Sequence, residues 1–167
     1  MKKAAVIMGS DSDLPVVEKA VNTLREFGVP TEVHVYSAHR TPEEARRFAL
    51  DARTAGFGVL IAAAGMAAHL AGALAANTTL PVIGIPLTSG ASDGTDALLS
   101  TVMMPPGVPV ATVGINGAVN AALLAVQILS VGDEGLARRL ADYKAAAADK
   151  VRQKDRAVSE KYNSFKI

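Results

Sequence analysis

Five short apolar runs recur along this chain, and a helix signal follows each of them. The runs cover residues 4–8, 33–36, 59–63, 82–85 and 110–115. Strands that alternate with helices form a parallel sheet, because each helix crosses back over the sheet in the right-handed sense. The alternation therefore predicts an α/β domain in which helices cover both faces of a parallel sheet.

The signals that start and end the predicted helices lie in short polar segments. Asp13 can cap a helix that has Pro15 in its first turn and ends at Gly28. The segment Thr41-Pro42-Glu43-Glu44 is typical of a capping box, and the helix it starts would end at Gly56. We predict further helices over residues 67–76 and 95–102, and a fifth that begins near residue 116.

The pattern changes from residue 133 onward to that of one long helix. Leu136, Leu140, Tyr143, Ala147 and Val151 form an apolar stripe on an otherwise charged segment. A helix that continues to residue 162 would be about 40 Å long, which is longer than a small sheet is wide. We expect its distal end to pack on another subunit; the alternative is a solvated tail. We therefore predict a single domain over residues 1–167, with 133–167 as a C-terminal helical extension.

The composition argues against several classes of function. Seventeen basic and sixteen acidic residues leave a net charge of +1, and aromatic residues make up 4% of the chain. This balance supplies neither a basic surface for a nucleic-acid backbone nor an aromatic platform for single strands. Without Cys there is no disulfide, thiolate nucleophile or Cys-based zinc site. The first residues precede a strand pattern rather than a signal peptide, so we expect a cytoplasmic protein.

Residues 58–76 are almost uncharged and resemble a membrane span in length. They are rich in Ala and Gly rather than Leu and Phe, and Gly65 separates a strand-like half from a helix-like half. Strands covered on both faces have continuous apolar sequences. We therefore predict a buried strand that leads into a buried helix, and no association with a membrane.

Polar residues follow the first three predicted strands at the place where open parallel sheets bind ligands. Such ligands lie beyond the carboxyl ends of the strands, where the strand order reverses. The loops are residues 9–13, 37–40 and 64–69, and they hold two of the three histidines. With a strand order of 2-1-3-4-5 these loops would be neighbours.

The first loop has neither a Walker motif nor a dinucleotide-binding glycine motif. Backbone N–H groups together with Ser10 could hold a phosphate, and Asp13 could accept hydrogen bonds from ribose hydroxyls. Asp13 could equally well only cap its helix. The two roles are compatible with each other.

The second loop places His39 and Arg40 side by side in front of a helix N-terminus. The planar guanidinium of Arg40 suits a phosphate or a carboxylate, and an imidazole can take and give a proton near neutral pH. Together with His69 on the third loop, these residues predict a catalytic or binding site. A structural role for a lone histidine in this loop is the alternative.

Other kinds of site have weaker support. His34 lies inside the second strand between two valines, and we expect it to be structural. No pair of histidines has the spacing of a helical zinc site, so we expect no metal. The chain also lacks the Gly-x-Ser-x-Gly motif of hydrolases.

Five segments in order along the chain resemble class I N5-carboxyaminoimidazole ribonucleotide mutases of bacterial purine synthesis. They are Met8-Gly9-Ser10-Asp11-Ser12-Asp13, Ser37-Ala38-His39-Arg40-Thr41-Pro42, Ala64-Gly65-Met66-Ala67-Ala68-His69-Leu70, Met104-Pro105-Pro106-Gly107-Val108-Pro109-Val110 and Asn120-Ala121-Ala122-Leu123-Leu124-Ala125. The resemblance runs from about residue 4 to residue 162. It implies a flavodoxin-like, three-layer α/β/α fold with strand order 2-1-3-4-5 and a long C-terminal helix.

The resemblance also implies an activity and an assembly. The enzymes of this family move a carboxyl group from the exocyclic nitrogen of a ribonucleotide to carbon 4 of its imidazole, without metal, nucleotide cofactor or ATP. They are homo-octamers with active sites at subunit junctions. A functional coupling to the ATP-dependent carboxyaminoimidazole ribonucleotide synthase follows from the same resemblance.

The resemblance assigns roles to single residues of this chain. His39 would be the general acid and base, and His69 would orient the substrate. Ser10, Asp13 and Arg40 match contacts to the ribose phosphate. The remaining positions that match the substrate site are Ser37, Ala38, Gly65, Ala67 and Leu70.

One departure from the family concerns the third motif, which usually reads His-Leu-Pro-Gly and here has Ala71 in place of the proline. The loss of that ring puts the rigidity of the loop that carries His69 in question. It motivates one alternative, a non-catalytic nucleotide-binding module. A second alternative is a class II carboxylase that uses free carbon dioxide; such enzymes tend to have Lys where Arg40 stands, which favours the mutase.

Overall fold

The computed structural model describes residues 1–89 and 92–163. Along the chain the elements are β1 (Lys3–Met8), α1 (Leu14–Glu26), β2 (Thr31–Val35), α2 (Pro42–Asp51), β3 (Phe57–Gly65), α3 (Leu70–Ala75), β4 (Val82–Leu87), α4 (Thr95–Val102), β5 (Ala111–Thr112), α5 (Ala118–Ser130) and α6 (Glu134–Tyr162). A short 3-10 turn, Asp11–Asp13, precedes α1. Residues 164–167, the end of the predicted extension, lie outside the described part of the chain.

The strands form one parallel sheet in the order β2-β1-β3-β4-β5. The order reverses at β1, so the chain moves outward to β2 and then returns across β1 to β3. This confirms the predicted flavodoxin-like α/β fold with a long C-terminal helix. The reversal brings the carboxyl ends of β1, β2 and β3 together at one edge of the sheet.

Alternate residues of the strands enter two different hydrophobic cores. Val6 and Ile61 pack with α1, α5 and the start of α6 on one face, whereas Ile7 and Leu60 pack with α2 and α3 on the other. All four of these side chains are fully buried. A sheet buried on both faces requires the continuous apolar runs that the sequence contains.

The segment 58–76 forms most of β3 followed by α3, as expected for a buried strand and helix. In the described ranges no helix is both long enough and apolar enough to cross a membrane. Helix α3 begins at Leu70 rather than at residue 67. The N–H groups of Ala68 and His69 bond to carbonyls two residues back, which forms tight turns instead of a helical turn.

The fifth strand is shorter than the predicted run 110–115. Only Ala111 and Thr112 pair with β4, although the N–H of Val113 adds one more bond to Gly84. Pro86 of β4 has no N–H to continue the ladder. Its carbonyl instead accepts the N–H of Asn116, where a positive φ of 57° turns the chain toward α5.

Two predicted helix caps are wrong in their contacts. The side chain of Thr41 does not cap α2; its hydroxyl accepts the N–H of Ser37 and donates to the carbonyl of the same residue. Asp13 makes no side-chain cap on α1, because its carboxylate turns back to accept the N–H of Ser10. Both helices nevertheless start near the predicted places, since Pro15 and Pro42 lie in their first turns.

Helix α6 packs on the domain only along its first half. Asp133 caps it by accepting the N–H of Leu136, and Leu136 and Leu140 are buried. Tyr143 lies against the ring of Phe27 with centroids 5.4 Å apart. Farther along the predicted stripe, Ala147 and Val151 are exposed.

Candidate active site

A cleft of about 560 Å³ lies at the carboxyl ends of the first four strands. Among the described residues it is lined by the loops after β1, β2 and β3 and by Ser89 after β4. All ten residues that the sequence singled out for the site line this cleft: Ser10, Asp13, Ser37, Ala38, His39, Arg40, Gly65, Ala67, His69 and Leu70. The structure therefore brings together residues that are up to 60 positions apart in the chain.

The loop after β1 is tied together by its own side chains. Ser10 Oγ accepts two hydrogen bonds from Ser12, one from its N–H at 3.3 Å and one from its hydroxyl at 2.8 Å. The Asp13 carboxylate accepts the N–H of Ser10 at 3.1 Å. These bonds form a capping box on the 3-10 turn, in which Ser10 is the cap rather than the predicted Asp13.

Burial is the largest influence on the pKa of Asp13, and it raises that pKa. The bond from the Ser10 N–H and the charge of Arg40 oppose this change, whereas the charge of Asp11 adds to it. The net direction is upward. Asp13 thus combines a raised pKa with a place on the cleft wall.

Ser37 organises the loop after β2. Its hydroxyl accepts the N–H groups of His39 and Arg40 at 3.4 and 3.1 Å. The guanidinium of Arg40 reaches across to the first loop and donates to the carbonyl of Gly9 at 3.1 Å. This contact leaves other N–H groups of Arg40 for an anion, because a guanidinium carries five.

The two cleft histidines come from different loops and meet at their ring edges. His69 Nδ1 and His39 Nε2 are 3.4 Å apart, within hydrogen-bonding distance when one of them carries the proton. Their ring centroids are 5.5 Å apart, and both residues are exposed. Such a pair can share a proton between its ring nitrogens and pass it to a ligand in the cleft.

The loop after β3 contains cleft residues that the sequence did not single out. Met66 has a positive φ of 54°, which is rare for a residue with a long side chain, and it is 62% exposed. Its N–H donates to Ser89 Oγ at 2.7 Å. Ser89 is the cleft residue that follows β4, and its position at the carboxyl end of a strand is the signal that could have found it.

His34 lies outside the cleft, on β2. Its ring stacks on Tyr36 with centroids 5.0 Å apart and also contacts Phe48. Its Nδ1 is 3.2 Å from the hydroxyl of Tyr36.

Across residues 1–89 and 92–163, no group of three His, Cys, Asp or Glu side chains could hold a metal ion.

Comparison with known proteins places this cleft in a family. Residues 3–150 match the family model described as AIR carboxylase. The N5-carboxyaminoimidazole ribonucleotide mutase of Methanocaldococcus jannaschii is 51% identical over 157 residues, which cover 94% of this chain and 98% of that protein. The protein of the same name from Pyrococcus abyssi is 55% identical over 144 residues, or 86% of this chain and 83% of its relative.

The fold comparison agrees with the sequence comparison. A crystal structure of Treponema denticola PurE superimposes with a TM-score of 0.85 at 29% identity, over 92% of this chain and 96% of that one. The family model covers most of the chain, and the chain matches both relatives over more than four fifths of their length. The chain belongs to the AIR carboxylase family.

Proposed function

We propose that this protein is an N5-carboxyaminoimidazole ribonucleotide mutase, which converts that substrate to 4-carboxy-5-aminoimidazole ribonucleotide in purine biosynthesis. The names of its relatives support this activity. The observation that carries the mechanism is the pairing of His39 with His69 in a cleft that also holds Arg40 and Ser10. The cleft thus combines a proton carrier with groups that bind a phosphate.

The phosphate and ribose of the substrate bind beside the first two loops. The side chain of Arg40 crosses to the carbonyl of Gly9, the residue before Ser10, and both Arg40 and Ser10 line the cleft. A guanidinium and hydroxyl groups are suitable partners for a phosphate. Asp13 accepts hydrogen bonds from the ribose, and Ser37 and Ala38 form the wall between the ribose and the base.

His39 transfers the proton at both ends of the reaction. It protonates the carbamate nitrogen, the bond from nitrogen to the carboxyl carbon breaks, and carbon dioxide is released beside the imidazole. Carbon 4 attacks the carbon dioxide to form the new carbon–carbon bond, and its proton returns to His39. The cycle begins and ends with the same protonation state, and we propose that it uses no cofactor.

Small residues of the third loop retain the carbon dioxide. Gly65 and Ala67 line the same cleft as His39. Leu70 is buried, and the space beside Gly65 is occupied by the Ser89 side chain, which also lines the cleft. His69 orients the substrate through its contact with His39, so the carboxyl group stays close to carbon 4.

The family resemblance also bears on where the enzyme acts and how it assembles. We place the protein in the cytoplasm as a homo-octamer with active sites at subunit junctions. We further propose that it acts together with the ATP-dependent synthase that makes its substrate. The exposed apolar side chains Val151 and Val158 on the distal half of α6 support an assembly.

The decisive test compares His39→Asn with His34→Asn. Purified proteins are mixed with the carboxyamino substrate, and formation of the 4-carboxy product is followed spectroscopically. We expect His39→Asn to lower kcat at least 100-fold, because the amide of asparagine cannot transfer a proton. His34→Asn is the matched control outside the cleft and should retain turnover. Near-complete activity of the His39→Asn enzyme would exclude His39 as the acid and base.

Carboxylation of aminoimidazole ribonucleotide by free carbon dioxide is the competing activity, because the family model carries the name of that reaction. The two activities differ in their response to bicarbonate. A mutase consumes the carboxyamino substrate at a rate that added bicarbonate does not raise. A carboxylase acts on the uncarboxylated ribonucleotide, and its rate at low substrate rises with bicarbonate. Binding without product would instead support the non-catalytic module.

A further inference from the structure

Ser89, Gly65 and Met66 lock the loop after β3 to the loop after β4. Gly65 pairs with Leu87 in the sheet, so Ser89 lies two residues beyond the last paired residue of the neighbouring strand. A Cβ added at Gly65 would overlap Ser89 Oγ and lie 2.8 Å from Ser89 Cβ. The glycine is therefore required for the serine to come this close.

The close approach lets the serine hydroxyl accept the N–H of Met66 at 2.7 Å. Met66 has a φ of 54°, a conformation that costs free energy for any residue with a Cβ. Its side chain is 62% exposed, so packing of that side chain contributes little to holding the conformation. The hydrogen bond from Met66 to Ser89 is thus a direct restraint on the strained residue.

The conformation of Met66 determines where His69 lies. The Met66 carbonyl accepts the N–H of Ala68 at 2.8 Å, and the Ala67 carbonyl accepts the N–H of His69 at 2.8 Å. These two turns carry the chain from Met66 to His69, whose ring meets His39 at 3.4 Å. A change of φ at Met66 would redirect both turns and move the His69 ring.

We infer that Ser89 is a positioning residue for the His39–His69 pair. Its hydroxyl holds Met66 in the left-handed conformation and so keeps the His69 ring against His39. The catalytic part of this inference rests on the proposed mutase activity, whereas the geometric part does not. Ser89 itself transfers no proton in this scheme.

Ring signals of the histidines test the geometric part without any substrate. The chain has three histidines, so their ring resonances in NMR spectra are assigned by single substitutions. Ser89→Ala should shift the signals of His69 and His39 and leave that of His34 in place. Thr88→Val is the matched control, because it removes a neighbouring hydroxyl that accepts from Asn116 instead. Unchanged His69 and His39 signals in Ser89→Ala would overturn the inference.

A double-mutant cycle tests the route through Met66. Glycine adopts a positive φ without strain, so Met66→Gly should make the loop less dependent on Ser89. We expect Ser89→Ala to lower kcat/KM about tenfold when residue 66 is unchanged. In the Met66→Gly protein the same substitution should lower it less than threefold. Equal losses in the two backgrounds would show that Ser89 does not act through Met66.

The two experiments also separate this inference from the proposed function. If wild-type protein shows no mutase turnover while Ser89→Ala still shifts the histidine signals, the mutase proposal fails and the positional link stands. If turnover is present and the signals do not respond, the positional link fails and the mutase proposal stands.

Discussion

Single residues of the cleft are held in place mainly by bonds to the backbone. Ser37 accepts two backbone N–H groups, Asp13 accepts one, and Arg40 donates to a carbonyl of another loop. Asp13 and Arg40 were selected from the sequence because each carries chemistry at the end of a strand, whereas Ser37 was selected through the resemblance to the family. The bonds of Ser37 and Asp13 stay within their own loops, whereas the partner of Arg40 depends on how two loops meet, which no local pattern contains.

The raised pKa of Asp13 predicts how the stability of the fold depends on pH. Because burial raises its pKa in the folded state, the unfolded chain loses this proton first as the pH rises. This residue's contribution to stability is therefore full at acid pH, below the ordinary aspartate pKa of 3.8, and falls as the pH rises through the folded pKa. Asp13→Asn keeps an oxygen for the Ser10 N–H and removes the titration.

We expect the stability of Asp13→Asn relative to wild type to increase from acid to neutral pH, and substrate affinity to fall about tenfold. Urea unfolding of both proteins at several pH values measures the first effect, and KM reports the second. All other titrating groups are common to the two proteins and cancel in the comparison. A stability difference that stays constant or decreases with pH would contradict the assigned direction.

At the scale of the elements, the start of α3 shows the effect of having Ala71 where the family usually has proline. Ala71 is the second residue of that helix, and Pro15 occupies the same position in α1. A helix leaves its first N–H groups without intrahelical acceptors, so proline is tolerated there. The helical start therefore exists without the ring, and the tight turns before it come from Met66 to His69.

Ala71→Pro should stabilise the protein by about 0.4–1 kcal/mol, because proline restricts the unfolded chain more than alanine does. In a chain of this size the melting temperature should rise by about 1–4 °C. Differential scanning calorimetry measures the change. Ala71 is 3% exposed and faces Gly84. A lower melting temperature would mean that the ring does not fit beside β4.

Close packing of α4 on β4 gives a second prediction at this scale. A Cβ added at Gly84 would overlap Thr101 Cγ2 and lie 3.1 Å from Val110 Cγ1. Gly84→Ala should therefore destabilise the fold by about 1–3 kcal/mol. Thr101→Ser removes the overlapped methyl and keeps the hydroxyl that donates to the Ala97 carbonyl.

The double variant Gly84→Ala/Thr101→Ser should recover part of the loss. Urea unfolding of the two single variants and the double variant gives the coupling between the sites. Additive effects would show that another neighbour, such as Val110, sets the cost. The sequence revealed a glycine in a strand but not the side chain that requires it.

At the scale of the whole molecule, the distal half of α6 lies beyond the residues that bury this helix against the domain. The helix has 29 residues, and its two buried residues, Leu136 and Leu140, lie in the first two turns. Val151 and Val158 are 66% and 57% exposed. They are seven residues apart and therefore lie on the same face. The sequence predicted the length of this helix, and the structure locates where its contact with the domain ends.

Size-exclusion chromatography with light scattering should give a mass about eight times the 17.2 kDa of one chain. Val151→Glu with Val158→Glu should lower that mass, because the charges would be buried between subunits. Gln153→Glu adds a charge about 200° around the helix from Val151 and should leave the mass unchanged. An unchanged mass for the Val151→Glu/Val158→Glu protein would exclude this face as an interface, and a monomeric wild type would exclude the octamer.

The sequence by itself determined the layers, the order of strands and helices, and the residues that meet at the carboxyl ends of the strands. It could do so because periodicity, Pro and Gly act over a few residues, and because parallel strands present their carboxyl ends at one edge. Tertiary structure decided the contact of His39 with His69 and the hydrogen bond from the Met66 N–H to Ser89. Those contacts join loops from different strands, so their geometry depends on how the strands pair and how closely side chains pack between them.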